Sequence, residues 1–125
     1  QVSQGEIQIR KSQNGHFKIN ALIDNQKINF LVDTGATDVV LPLNIAKKLG
    51  VNIDSLDFNK AYNTANGQIF AAPLKIDMIE IAGFRFFDIR ASVTNSNLET
   101  PLMGMSFLRE LKEYRVNDNI LTLVP

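Results

Sequence analysis

Cysteine is absent from this 125-residue chain, and histidine occurs once. Without thiols there is no disulfide, no cysteine nucleophile and no thiolate zinc site. The lone His16 cannot build a multi-histidine metal centre within one chain. Its place in the stretch HFKINALI puts it on a strand face as an ordinary surface or half-buried imidazole. Net charge is missing too: 13 Lys and Arg balance 13 Asp and Glu. Acids are interspersed among the bases, so no clustered basic face proposes a nucleic-acid partner. No apolar run reaches the roughly 18 residues of a membrane-spanning helix. The chain opens on Gln1-Val2-Ser3-Gln4 instead of a methionine, which reads as an internal start. A signal or anchor upstream would then lie outside this segment. What is present, 45% hydrophobic residues with no repeat and no low-complexity tract, suits one globular domain over residues 1–125.

Period-two patterns dominate the chain. Ile7 and Ile9 alternate with polar residues, and Phe17, Ile19, then Leu22 mark a second strand-like run. Asp24-Asn25-Gln26 is a turn signal, after which Ile28, Phe30 and Val32 alternate again, so a hairpin is expected. Pro42 to Leu49 predicts one short helix, with Gly50 standing where a C-terminal glycine cap would. Leu56 to Ala72 reads as a projecting hairpin centred on Asn66-Gly67. Leu74 to Ile81 and Phe84 to Val93 are strands joined by Ala82-Gly83, and Thr94 to Thr100 is a loop closed by Pro101. Gly104 to Leu111 allows a second short helix with Ser106 as its N-cap. Tyr114 to Val116 and Ile120 to Val124 make a last hairpin around Asn117-Asp118-Asn119. Many short strands with one or two short helices mean an all-β, barrel-like fold.

One strand ends on chemistry. Phe30-Leu31-Val32 runs into Asp33-Thr34-Gly35-Ala36. Asp, Thr and Gly are turn formers, so a plain turn would account for the triplet alone. Its context adds more: Val39-Val40-Leu41-Pro42 follows, then the Asn66-Gly67 hairpin, then Leu102-Met103-Gly104. The segment FLVDTGATDVVLP resembles the active-site segment of the retroviral-type aspartic proteases, the retropepsins. PLMGMSFL is similar to their second signature, and the shared order covers about Ile7 to Val124. In wording and composition the chain most resembles the bacterial branch of that family, the rickettsial one.

The resemblance implies a retropepsin-like closed β-barrel with a flap hairpin. It implies an aspartic endopeptidase that needs no cofactor and no metal, with Asp33 as the catalytic acid. Such chemistry requires two facing carboxylates, one ionised to take a proton from water and one protonated to donate to the scissile carbonyl. Two acids about 3.5 Å apart repel by roughly 4–5 kcal/mol at an effective dielectric near 20, so the pair shares one proton. This chain holds a single Asp-Thr-Gly and no second one. Two chains must therefore each contribute Asp33 around a two-fold axis, and a monomer should be inactive.

By the same resemblance Thr34 would hydrogen-bond to the partner's loop, and Gly35 and Ala36 would leave room for the backbone of a peptide substrate. Asp38 would contact substrate main chain or stabilise the dimer, unless it is a solvated turn acid. Asn66 and Gly67 would form the flap tip over an extended, mostly apolar peptide. Leu102, Met103 and Gly104 would line the base of the site. Family members often carry an arginine after that glycine for a dimer ion pair; Met105 stands here instead. Retropepsin dimers also interleave their chain termini, a role open to Ile120–Val124 with residues 1–9, although this segment could equally be an internal strand. A bacterial cell-envelope location, and any link to a membrane, would follow only from an upstream anchor. The alternative function is a retropepsin-fold dimerisation or peptide-binding module that cleaves nothing. A serine hydrolase on His16 and Ser106 is disfavoured, because GMSFL lacks the trailing glycine of a nucleophile elbow.

Overall fold

The computed structural model describes residues 2–3, 5–64, 67–96 and 100–125. Along the chain run β1 (Val2–Ser3), β2 (Glu6–Arg10), β3 (Lys18–Ile23), β4 (Gln26–Val32) and β5 (Val39–Leu41). A short helix α1 (Leu43–Lys48) and a single 3-10 turn (Ile53–Ser55) lead to β6 (Lys60–Thr64), β7 (Gly67–Ile81) and β8 (Phe84–Thr94). Then come β9 (Leu102–Met103), α2 (Met105–Leu108), β10 (Glu113–Asn117) and β11 (Ile120–Val124). No helix among the described residues is long and apolar enough to cross a membrane.

The larger sheet has the order β3-β4-β9-β5-β8-β7-β6. A further pairing of β3 with β7, Leu22 opposite Glu80, returns the sheet on itself and closes a barrel of six strands. Among the described residues β6 pairs with β7 alone and stays outside that closure. The barrel interior is filled by Phe30, Val39, Leu41, Ile79, Ile89, Val93, Met103 and Phe107, all fully buried. Phe107 meets Phe86 edge to face, with ring centroids 4.9 Å apart.

Local sequence accounts for most corners. Asp24 and Asn25 both adopt positive φ (50° and 64°), the backbone of a two-residue hairpin turn of type I′, and Asp and Asn tolerate it. Ala82 and Gly83 do the same between β7 and β8. Pro42 precedes α1 as its N-cap, and Gly50 follows the C-cap Leu49 at φ 81°, the left-handed stop that glycine adopts without a Cβ clash.

Three expectations shift. β3 buries Ile19, Ala21 and Ile23 in strict alternation, so Leu22 faces outward; Ala21 is too small to signal its face. In the projecting hairpin Thr64 pairs with Gly67, which moves the centre one position N-terminal of Asn66-Gly67. Asn66 itself lies outside the described residues, and the strand opposite starts at Lys60, not Leu56. Ser106 is not an N-cap: Gly104 holds that position without a side-chain bond, and Ser106 lies inside α2. The last strand takes one of the two readings left open for it: β11 is internal, paired with β10 on one side and β2 on the other. The second sheet has the order β1-β2-β11-β10.

The long β7–β8 ribbon also changes face midway. Ile76 and Ile79 are both buried three positions apart, as are Phe86 and Ile89. The register places Ile76 opposite Ile89 and Met78 opposite Phe87, with Asp88 between them at φ 58°. This turn of the backbone lets one end of the ribbon face the barrel while the other supports β6. On the outer face of the smaller sheet, Arg115 donates to Glu6 (3.0 Å) and Glu113 (2.8 Å). The hydrogen bond to Glu6 is the largest influence and holds the guanidinium pKa above its ordinary value; desolvation opposes it, and the charges of Glu113 and Glu6 add to it.

Candidate active site

Asp33 follows directly on β4, at the point where three strand ends converge. β9 lies between β4 and β5, parallel to the first and antiparallel to the second. Leu31 is opposite Leu102 and Val32 opposite Met103, and the Asp33 amide donates to the Met103 carbonyl at 3.1 Å. The chain from Asp33 to Asp38 must therefore loop over the end of β9 before it can enter β5.

Gly104 makes that crossing feasible. A Cβ on Gly104 would lie 2.1 Å from the Asp38 carbonyl oxygen and 2.7 Å from that of Ala36. Backbone at such distances cannot give way locally, so only glycine fits. Immediately after it, the amides of Met105 and Ser106 donate to the Ala36 and Thr37 carbonyls at 2.8 Å each. The Ser106 hydroxyl accepts from the Val39 amide (2.9 Å) and donates to the Arg90 carbonyl (2.6 Å), tying loop, helix and β8 together. Nothing in the sequence marks Ser106 for this bridge, because its partners are main-chain groups 67 and 16 residues away.

Asp33 itself is half-buried. Its Oδ1 accepts from the Gly35 amide at 2.9 Å, which fixes one carboxylate oxygen, and Oδ2 has no partner among the described residues. A Cβ on Gly35 would sit 3.2 Å from that same Oδ1. A side chain here would press the acid of its own loop aside by a few tenths of an ångström, so glycine lets Asp33 keep this pose. Thr34 is exposed, and among the described residues its hydroxyl has no partner within the chain.

Asp38 is not a solvated turn acid. It is 8% exposed, and Oδ2 accepts from the Ser92 hydroxyl at 2.9 Å. A groove of about 280 Å³ opens beside it. The loop from Gly35 to Asp38 lines it together with Val40, Leu102, and Ser92 and Thr94 of β8. Ile69 of the projecting hairpin lines the same groove. Sequence reasoning missed Ser92, Thr94 and Ile69; only the alternation of β8 hinted that Ser92 and Thr94 share a face.

Met103 is fully buried and does not reach the groove; it holds β4 and β9 together. Gly67 opens β7 at the hairpin's end, and Asn66 lies outside the described residues. The hairpin's base is pinned by Phe70, whose amide donates to the Asn95 side chain (3.1 Å) while its carbonyl accepts from the Asn95 amide (2.9 Å). No group of three or more His, Cys, Asp or Glu among the described residues could hold a metal ion.

A strand-loop-strand corner ending on Asp-Thr-Gly, locked by an apolar-Gly helix and overhung by a hairpin, is the retropepsin architecture. Residues 19–110 match the family model described as "gag-polyprotein putative aspartyl protease", and the chain belongs to that family. A crystal structure of a retropepsin-like aspartic protease from Rickettsia conorii superposes with a TM-score of 0.87 at 40% identity, over 97% of this chain and 100% of that one. The protease of EIAV, solved with an inhibitor, shares the fold alone, with a TM-score of 0.62 at 20% identity over 85% of this chain and 97% of that one. Among curated sequences, an uncharacterized protein of Rickettsia prowazekii is 43% identical over 95% of this chain and 51% of its own length. An uncharacterized protein encoded in the cobV 5′ region of a Sinorhizobium species is 36% identical over 96% of this chain and 52% of its own. The chain thus spans about half the length of both relatives.

Proposed function

We propose that the chain is an aspartic endopeptidase whose active site forms from two copies, each supplying Asp33. The observation that carries this reading is the pose of Asp33. One carboxylate oxygen is held by its own loop, the other is open, and a substrate-sized groove begins two residues on at Gly35. Each chain has one such acid, so the catalytic pair requires a partner chain. A water between the two carboxylates gives its proton to the ionised one and attacks the peptide carbonyl. The protonated one donates to the carbonyl oxygen, giving a tetrahedral diol that collapses as the amine leaves with a proton. Sharing one proton between two close acids places the working range on the acid side of neutrality.

An extended peptide lies along Gly35 and Asp38, with its side chains in the apolar groove and its upper edge against the hairpin. Thr34, whose hydroxyl has no partner among the described residues of its own chain, reaches across to the partner's loop and fixes the two acids. Asp38, held by Ser92, keeps one oxygen for a donor on the peptide.

The test is cleavage of a peptide library from about pH 4 to 7 by the wild type and by Asp33→Asn. Wild-type cleavage, blocked by pepstatin-type inhibitors and lowered at least about 100-fold in Asp33→Asn, is the expected result. A dimer that binds the peptides yet leaves them uncut would make the chain a peptide-binding module of the same fold instead. The unaltered Asp-Thr-Gly-Ala segment favours the enzyme.

A further inference from the structure

β7 serves two structures along its length. From Ala71 to Ile81 it pairs with β8, and from Gly67 to Ala71 it pairs with β6. The two ladders meet at Ala71, which is opposite both Thr94 and Lys60. Burial changes at the same place: Ala71 and Ala72 are buried, whereas Gly67, Gln68 and Phe70 are exposed and Ile69 is half-buried. The hairpin beyond Ala71 therefore draws little stability from the core, and its height over the groove depends on how its root is fixed.

Asn95, the first residue after β8, holds that root. Its amide donates to the Phe70 carbonyl at 2.9 Å, which extends the ladder by one rung. In a hydrogen-bonded antiparallel pair the two residues exchange both main-chain bonds. Here the return bond is made differently: the Phe70 amide donates to the Asn95 side-chain Oδ1 at 3.1 Å. The side chain takes the place of the strand's own carbonyl, which frees the main chain to turn away. It does so at once. The Thr94 hydroxyl and the Leu43 amide, at the start of α1, both donate to the Ser96 carbonyl, at 3.1 and 3.3 Å. Asn95 thus lets β8 leave the hairpin while keeping hold of it. Ile69, adjacent to the clasped Phe70, lines the groove with Gly35, Asp38 and Leu102.

From this geometry we infer that Asn95 is a positioning residue for substrate binding, an inference that rests on reading the groove as a peptide site. By clasping Phe70 it holds Ile69 and the hairpin at their working height over the groove. The clasp acts through the hairpin, away from the Asp33 carboxylate. Its loss weakens the grip on an extended peptide and leaves the chemical step alone, a change in KM and not in kcat.

Three variants test this. Asn95→Ala removes the side-chain acceptor, and Asn95→Asp keeps an oxygen in its place. Asn20→Ala removes a comparable exposed bond, from Asn29 at 2.9 Å, in the β3–β4 hairpin. In Asn95→Ala, hydrogen exchange at the Phe70 amide should be at least about ten-fold faster. KM for a cleaved peptide should rise about 3- to 10-fold, with kcat within about two-fold. Asn95→Asp should restore both, and Asn20→Ala should alter neither. Unchanged Phe70 exchange in Asn95→Ala, or faster exchange with a wild-type KM, overturns the inference. So does a fall in kcat that tracks a lowered melting temperature and that Asn95→Asp does not rescue, since that marks a purely structural role. If the wild type binds peptides without cutting them, the protease reading fails and peptide affinity replaces KM: weaker binding by Asn95→Ala keeps the clasp, and equal binding sinks it. Normal cleavage by wild type and Asn95→Ala alike sinks the clasp and keeps the protease. A chain that neither cuts nor binds peptides sinks both.

Discussion

The corner around Asp33 and the edge at β10 are built on opposite terms. At the corner, backbone approaches backbone so closely that Gly104 has no room for a Cβ, and the loop carbonyls of Ala36 and Thr37 are each taken by an amide of α2. At β10, an apolar row leaves the core and ends in solvent on Tyr114 and Val116. Tight closure fixes the acid in position, whereas the edge leaves an apolar row uncovered among the described residues.

Substitutions can break this contrast at graded strength. Gly104→Ala should have the largest effect. Its methyl would meet backbone at 2.1 Å, and a loss of at least about 3 kcal/mol is expected in chemical denaturation, along with all cleavage. Next is Leu123→Ala in β11, fully buried, which should lose about 2–5 kcal/mol. Val116→Ala, one strand over on the same face, should change the stability of the dilute monomer by less than about 0.5 kcal/mol. If the two are equally costly, the edge is not open in the free chain. Ser106→Ala strands the Val39 amide and removes a donor from Arg90, for about 1–3 kcal/mol in thermal unfolding. Gly35→Ala should be the mildest on stability, under about 1 kcal/mol, because the Cβ contact at 3.2 Å is with a side-chain oxygen that can rotate. That rotation moves the Asp33 carboxylate, so kcat for peptide cleavage should fall at least about ten-fold while the melting temperature barely shifts. A variant that cleaves normally would show that the Gly35 contact does not hold the acid in its working pose.

Both regions were partly legible in the sequence, to different degrees. The corner was readable because its needs are local and chemical: an acid with turn residues after an apolar run, and a glycine between an apolar pair and a helix. The α1 boundaries were readable for the same reason, with Pro42 before and Gly50 after. The hairpin centre slipped by one residue, because Asn-Gly is a strong turn signal only when the register of the arms agrees, and Thr64 opposite Gly67 does not. Ser106 was misread as a cap because a serine at a helix start has a local use in sequence, and here its partners are distant. Asp38 could not be separated from a solvated acid until Ser92, 54 residues away, was placed beside it.

The sequence by itself determined that this is an all-β protein with one Asp-Thr-Gly per chain, no thiol chemistry and no multi-histidine metal centre. Those properties follow from composition, period-two alternation and a count of one. The tertiary structure alone decided that β9 threads between β4 and β5, that Gly104 tolerates no side chain, that β11 is enclosed by its own chain and that β10 is not. The reason is physical: strand order, close backbone approach and edge exposure are relations between segments far apart in sequence, and neither propensity nor spacing carries them.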